Sequence, residues 1–199
     1  MRCGPKDEGQ VLPLYVWVAG AILFVAFAFF VFAQAAVARN SAQSAADAAA
    51  LAAAQEGRDE LMDDFIDVVD GAPLQDWLAG DGLTGAGAER AAQSLAATNN
   101  SKVTDVGAVA VDGSPGFRVA VRSLKSVGRT ILPGTESKYA EAHATAVIRP
   151  RCAVGGGKEG TDSLSFICTG GRSFSFDPRK FDPEDLPDAS TIFAVHLAE

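Results

Sequence analysis

Gly80-Asp81-Gly82-Leu83-Thr84-Gly85 spells G-x-G-x-x-G, the pattern of a loop that lets a helix N-terminus hold a pyrophosphate. That chemistry needs a strand immediately before the first glycine, inside a βαβ unit. Residues 74–79 include Asp76 and Trp77 and read as helix or turn, so a structural loop is expected. Gly155-Gly156-Gly157-Lys158 resembles part of a phosphate loop, but the first glycine of that spacing falls on Cys152 and Glu159 follows the lysine. His143 and His196 are the two histidines. Each sits in a strand pattern, without the partner spacing that zinc requires. A nucleophile, a histidine and an acid can meet in space from anywhere in a chain, but nothing local points to such a set. No enzyme chemistry, cofactor or metal is expected.

Cys152 and Cys168 flank a Gly-rich stretch and lack the C-x-x-C spacing of a redox motif. In an oxidising compartment they can pair, closing a loop of about 15 residues and contributing about 3 kcal/mol. The alternative is two free, partly buried thiols. Residues 59–70, DELMDDFIDVVD, place Leu61, Met62, Phe65, Ile66 and Val69 on one helical face and acids on the other. The acids lack the interleaved spacing of a calcium loop, so they read as the solvated face of an amphipathic helix.

These residues hang on an unusual frame. The 199-residue chain carries a net charge of −8, which argues against nucleic acid as a partner, since phosphates select Lys and Arg clusters. Residues 9–38 contain no charged side chain. The core of this run, residues 11–33, exceeds the roughly 20 apolar residues that a membrane-spanning helix needs. Pro13 stands at its start, where a missing N–H costs nothing, and Tyr15 and Trp17 cluster at the same end as interfacial aromatics do. Arg2 and Lys6 precede the run and Arg39 follows it, which places residues 1–10 in the cytoplasm. A cleaved signal peptide is the rival reading: Ala33-Gln34-Ala35 and Ala36-Val37-Ala38 both fit the small-x-small pattern, with release after Ala35 or Ala38. Against it, the apolar run is longer than a signal peptide's and helical propensity passes unbroken through both sites.

Alanine-rich sequence carries the helix on to Gly57, expected as its C-terminal cap. A helix from Pro13 to Gln55 would be about 65 Å long, so residues 34–56 form a stalk beyond the bilayer. Arg39, Asn40, Gln43, Ser44 and Asp47 make a polar stripe; Ala42, Ala46, Ala49, Ala50 and Ala53 make a small apolar one. The alanines either pack on the protein's own sheet or let a neighbouring subunit approach closely. Arg39 and Asp47, eight residues apart, suit pairing between neighbouring stalks rather than within one helix.

Residues 43–54, QSAADAAALAAA, following an apolar segment opened by Glu8-Gly9-Gln10, resemble the N-terminal region of Tad (tight-adherence) pilus-assembly proteins of the TadE/TadG type. The resemblance covers about residues 8–56. It implies a bacterial envelope component, similar to minor pilins, that supports Flp-type pili or related secretion machinery and contacts other pilus or secretion subunits. Gly4 is followed by Pro5, and Glu8 falls at the fourth position after it, which departs from the prepilin-peptidase pattern and places the chain nearer the uncleaved TadG-like type.

Residues 57–199 are expected to form one exported α+β domain. Residues 73–80, with Trp77, read as a short helical turn and residues 86–98 as a helix. Residues 103–111 and the alternating Phe117, Val119 and Val121 read as two strands joined by a turn over residues 112–116. Ala140, Ala142, Ala144, Ala146 and Ile148 give the next strand an alanine face on which a helix can sit close. Shorter strands are expected at 164–168, 173–176 and 191–197, and an irregular Pro- and acid-rich loop at 177–188. The predicted fold is α+β, pilin-like in architecture: a long N-terminal transmembrane helix continuing as a stalk, then short helices and a small antiparallel sheet. The predicted function is a single-pass structural component in the cytoplasmic membrane, with its C-terminal domain outside the cytoplasm.

Overall fold

The computed structural model describes residues 11–65, 74–126, 137–155, 164–180, 182 and 185–198. Alanine and straight-chain residues favour helix, and helix α1 runs unbroken over Val11–Asp63, 53 residues or about 80 Å. Short helices α2 (Leu74–Leu78) and α3 (Ala88–Thr98) follow. Strands β1 (Ser101–Val111), β2 (Ser114–Ser126), β3 (Tyr139–Pro150), β4 (Cys152–Val154), β5 (Leu164–Cys168) and β6 (Arg172–Phe176) come next, then helix α4 (Ala189–Ile192) and strand β7 (Phe193–Ala198).

The strands form two antiparallel sheets rather than the single one expected: β1-β2-β3-β7 and β4-β5-β6. The three residues of β4 are too few to announce themselves in the sequence; they are strand because they pair with β5. The turn between β1 and β2 is tighter than the five residues expected. Asp112 and Gly113 both have positive φ, 52° and 75°, as a two-residue hairpin turn demands, and Val111 pairs with Ser114. Pro115 therefore lies within β2, where β1 is its partner and pairing with β3 begins one residue later, at Gly116. At the C-terminus, Thr191 and Ile192 belong to α4, so the last strand starts at Phe193.

Gly57 does not cap α1; the helix passes through it to Asp63. A Cβ on Gly57 would lie 2.8 Å from the Phe117 ring and 3.0 Å from Leu83 Cδ1, so the glycine serves close approach and tertiary packing overrides its weak helical propensity. The expected amphipathic helix is thus, over residues 59–63, the last turn of α1; its Ile66 and Val69 lie outside the described residues, as do residues 1–10 with Cys3 and Gly4, Pro73, and Gly156-Gly157-Lys158.

The distal part of α1 packs across β3, β2 and β7, with α3 beside it over β1. Phe117, Val119, Val121, Ala144, Ala146 and Ile148 point into this layer and are buried. The expected strand alternation holds there, and the small β3 side chains let the helix lie close. The second sheet contributes Phe166 and Phe176 to an aromatic cluster with Phe65, Trp77 and Phe193, ring centroids 4.8–6.3 Å apart.

Candidate functional site

Helix α1 changes character midway. From Leu12 to Val37 its large apolar side chains stand exposed, Trp17 at 75% and Phe32 at 74%. Among the described residues none buries them, and lipid is the solvent that suits them. From Ala42 onward the helix is core: Ala42, Ala45, Ala46, Ala49, Ala50, Ala53 and Ala54 are all fully buried. The switch is abrupt because one helix serves two solvents.

The alanine stripe considered for subunit contact is occupied from within. Ala42, Ala46, Ala49 and Ala53 pack inside the chain, leaving them no surface for a neighbour. The polar stripe is the face left outside. Arg39 and Gln43 are exposed and Asp47 is half-buried. Gln43 Nε2 donates to Asp47 Oδ1 at 2.8 Å and to the His143 carbonyl at 3.3 Å, tying the helix to β3. Asp47 therefore already holds an acceptor role inside the chain.

The residues that suggested chemistry take structural parts. Gly80, Gly82 and Gly85 all have positive φ, but helix α2 rather than a strand precedes them, so the dinucleotide unit is not formed. Instead the loop closes on α1: Glu60 Oε1 accepts from Thr84 N at 3.0 Å and from Thr84 Oγ1, and Oε2 accepts from Gly85 N at 2.9 Å. Sequence reading missed this role of Glu60, since the bond spans 24 positions. His196 stands opposite Val147 on β3, four positions along from His143, and no group of metal-ligating side chains forms among the described residues. Cys152 and Cys168 face each other across β4 and β5 and are joined by a disulfide.

Among the described residues one apolar helix has membrane-spanning length, and its continuity with the core helix of a small α+β domain suits a membrane-anchored architecture. Within it, residues 9–56 match the family model described as Tad, putative Flp pilus-assembly TadE/G-like. The N-terminal region is thus TadE/G-like, and the match ends where α1 enters its final turns. No curated protein matches the chain, and no solved structure does.

Proposed function

We propose that the protein is a single-pass structural component of Flp-type pilus assembly or a related secretion machinery. Residues 11–33 cross the cytoplasmic membrane, residues 1–10 lie in the cytoplasm, and residues 34–199 lie on the far side, where α1 from Ala42 onward is the core helix of the domain rather than a free stalk. The observation that carries this reading is the passage along α1, without a break, from exposed apolar side chains to buried alanines. Such a helix couples the domain to the bilayer rigidly, which suits a subunit that must present a surface at fixed height. The TadE/G-like match supports the pilus-assembly role. The Cys152–Cys168 bond supports an oxidising compartment for the domain, and Arg2 and Lys6 against Arg39 support the orientation.

Other pilus or secretion subunits would dock along the outward polar stripe of α1, with Arg39 of one chain reaching Asp47 of the next. The test is labelling in intact cells. A membrane-impermeant thiol reagent should modify a Glu89→Cys variant but not Cys3, and alkaline carbonate should leave the chain in the membrane fraction. Recovery in the soluble fraction would refute the anchor; labelling of Cys3 would refute the orientation.

A second reading, release by signal peptidase after Ala35 or Ala38, draws on one observation: every α1 residue buried in the domain lies beyond both sites. The released product would keep its whole packed core. The intact mass of the native protein separates the two.

A further inference from the structure

We propose that the end of the domain nearest the anchor is a second membrane contact, built to rest on anionic phospholipid headgroups of the leaflet from which α1 emerges. It rests on the anchored reading above.

The position of that end is set by a groove. One wall is α1 from Phe30 to Ser41; the other is Asn100, Ser123, Lys125 and Ser126. The helical wall begins inside the apolar run and finishes at polar residues, so the groove straddles the boundary between lipid and water over about 16 Å. The start of β1, the end of β2 and the start of β3 meet there: Lys102 pairs with Arg122, Arg122 with Glu141, and Ser126 with Tyr139.

A chain of net charge −8 thus collects Lys102, Arg122, Lys125 and Lys138 at one end of the sheet. Glu141 offsets Arg122 weakly, at 3.8 Å and well exposed. Lys102 and Arg122 stand directly opposite, an arrangement that destabilises a sheet unless an anion lies between them. Arg122 is held in place, its guanidinium 4.5 Å from the centre of the Tyr139 ring. With Ser123 and Leu124 these side chains line a small cleft.

Two exposed apolar side chains complete the surface, Leu124 at 55% and Tyr139 at 41%. A leucine and a tyrosine among cations match the headgroup region, where apolar bodies enter lipid and cationic tips stay with phosphate. Meanwhile Glu56, Asp59, Glu60, Asp63 and Glu89 lie toward the opposite end, at the C-terminus of α1 and the start of α3, where they outnumber Arg58 and Arg90. The resulting polarity turns the basic end toward an anionic surface and the acidic end away from it.

The test uses the full chain in vesicles, with a fluorophore on Ser126→Cys or on Glu89→Cys in a Cys3→Ser background, and headgroup spin-labelled lipid as quencher. Vesicles are phosphatidylcholine alone or an equimolar mixture with phosphatidylglycerol. The label at position 126 should be quenched more in the anionic vesicles, and the label at 89 equally in both. Each cation near an anionic surface contributes about fivefold, so Lys102→Gln with Lys125→Gln should lower the contact equilibrium about 25-fold. High salt should do the same to the unmutated protein, which guards against a variant that misfolds. Equal quenching at position 126 in both vesicles, or no response to salt, would overturn the headgroup contact while the anchor stands. A chain that floats with neither vesicle would overturn the anchor as well.

Discussion

Leu61 sits in the last turn of α1, where backbone carbonyls run out of helical partners, and the buried Trp77 indole donates to its carbonyl at 2.6 Å. Trp77→Phe keeps most of the ring but deletes this bond, so a loss of about 1–2 kcal/mol is expected, read as a lowered midpoint in denaturant. Gly57 tests packing from the other direction. Alanine at an exposed helical position would stabilise by about 1 kcal/mol, yet here its methyl would enter the space of Phe117. Gly57→Val, which adds bulk and a branched Cβ, should destabilise by about 2–3 kcal/mol; a neutral result in thermal melts would mean that Phe117 can move aside. Glu60 joins α1 to the glycine loop through three hydrogen bonds, a role usually filled by local turn residues.

Among the elements, the small sheet depends most on a covalent tie. Strands β4, β5 and β6 have three to five residues each, short for an independent sheet, and the disulfide links β4 to β5 across a separation of 16. Reduction should cost about 3 kcal/mol, or about 6–12 °C in melting temperature for a domain of this size. Cys152→Ser with Cys168→Ser should melt at the same lowered temperature, with and without reductant. The four-stranded sheet needs no such tie, because α1 and α3 cover one of its faces.

For the whole molecule, the central device is one helix with two solvents. A domain whose core helix is the continuation of its anchor cannot swivel freely over the bilayer, so a charge at Arg39 is presented at fixed height. Reversing Arg39 or Asp47 singly should weaken assembly, and Arg39→Asp combined with Asp47→Arg should restore it. Crosslinking between neighbouring chains in cells is the measurement, and failure of the double variant to recover would refute the pairing. Gln43 donates to Asp47 Oδ1 at 2.8 Å, which orients the carboxylate and leaves its other oxygen to accept from an arginine of a neighbouring chain.

What the sequence determined by itself is whatever depends on neighbours in the chain. An uncharged run of residues 9–38 and an alanine continuation specify a long helix and its two environments, since helix propensity and hydrophobic transfer act locally. Alternation in β2 and β3 was legible for the same reason, as was a turn between β1 and β2, though its two-residue length at Asp112-Gly113 was not. The tertiary structure decided what depends on residues far apart: that Gly57 is passed through rather than capped, because Phe117 lies against it; that Glu60 closes the glycine loop; and that three residues of β4 become a strand beside β5. It also decided that the alanine stripe turns inward, because a surface small enough to meet it closely lies within the same chain. In this chain that surface is its own sheet, held close by the alanines of β3.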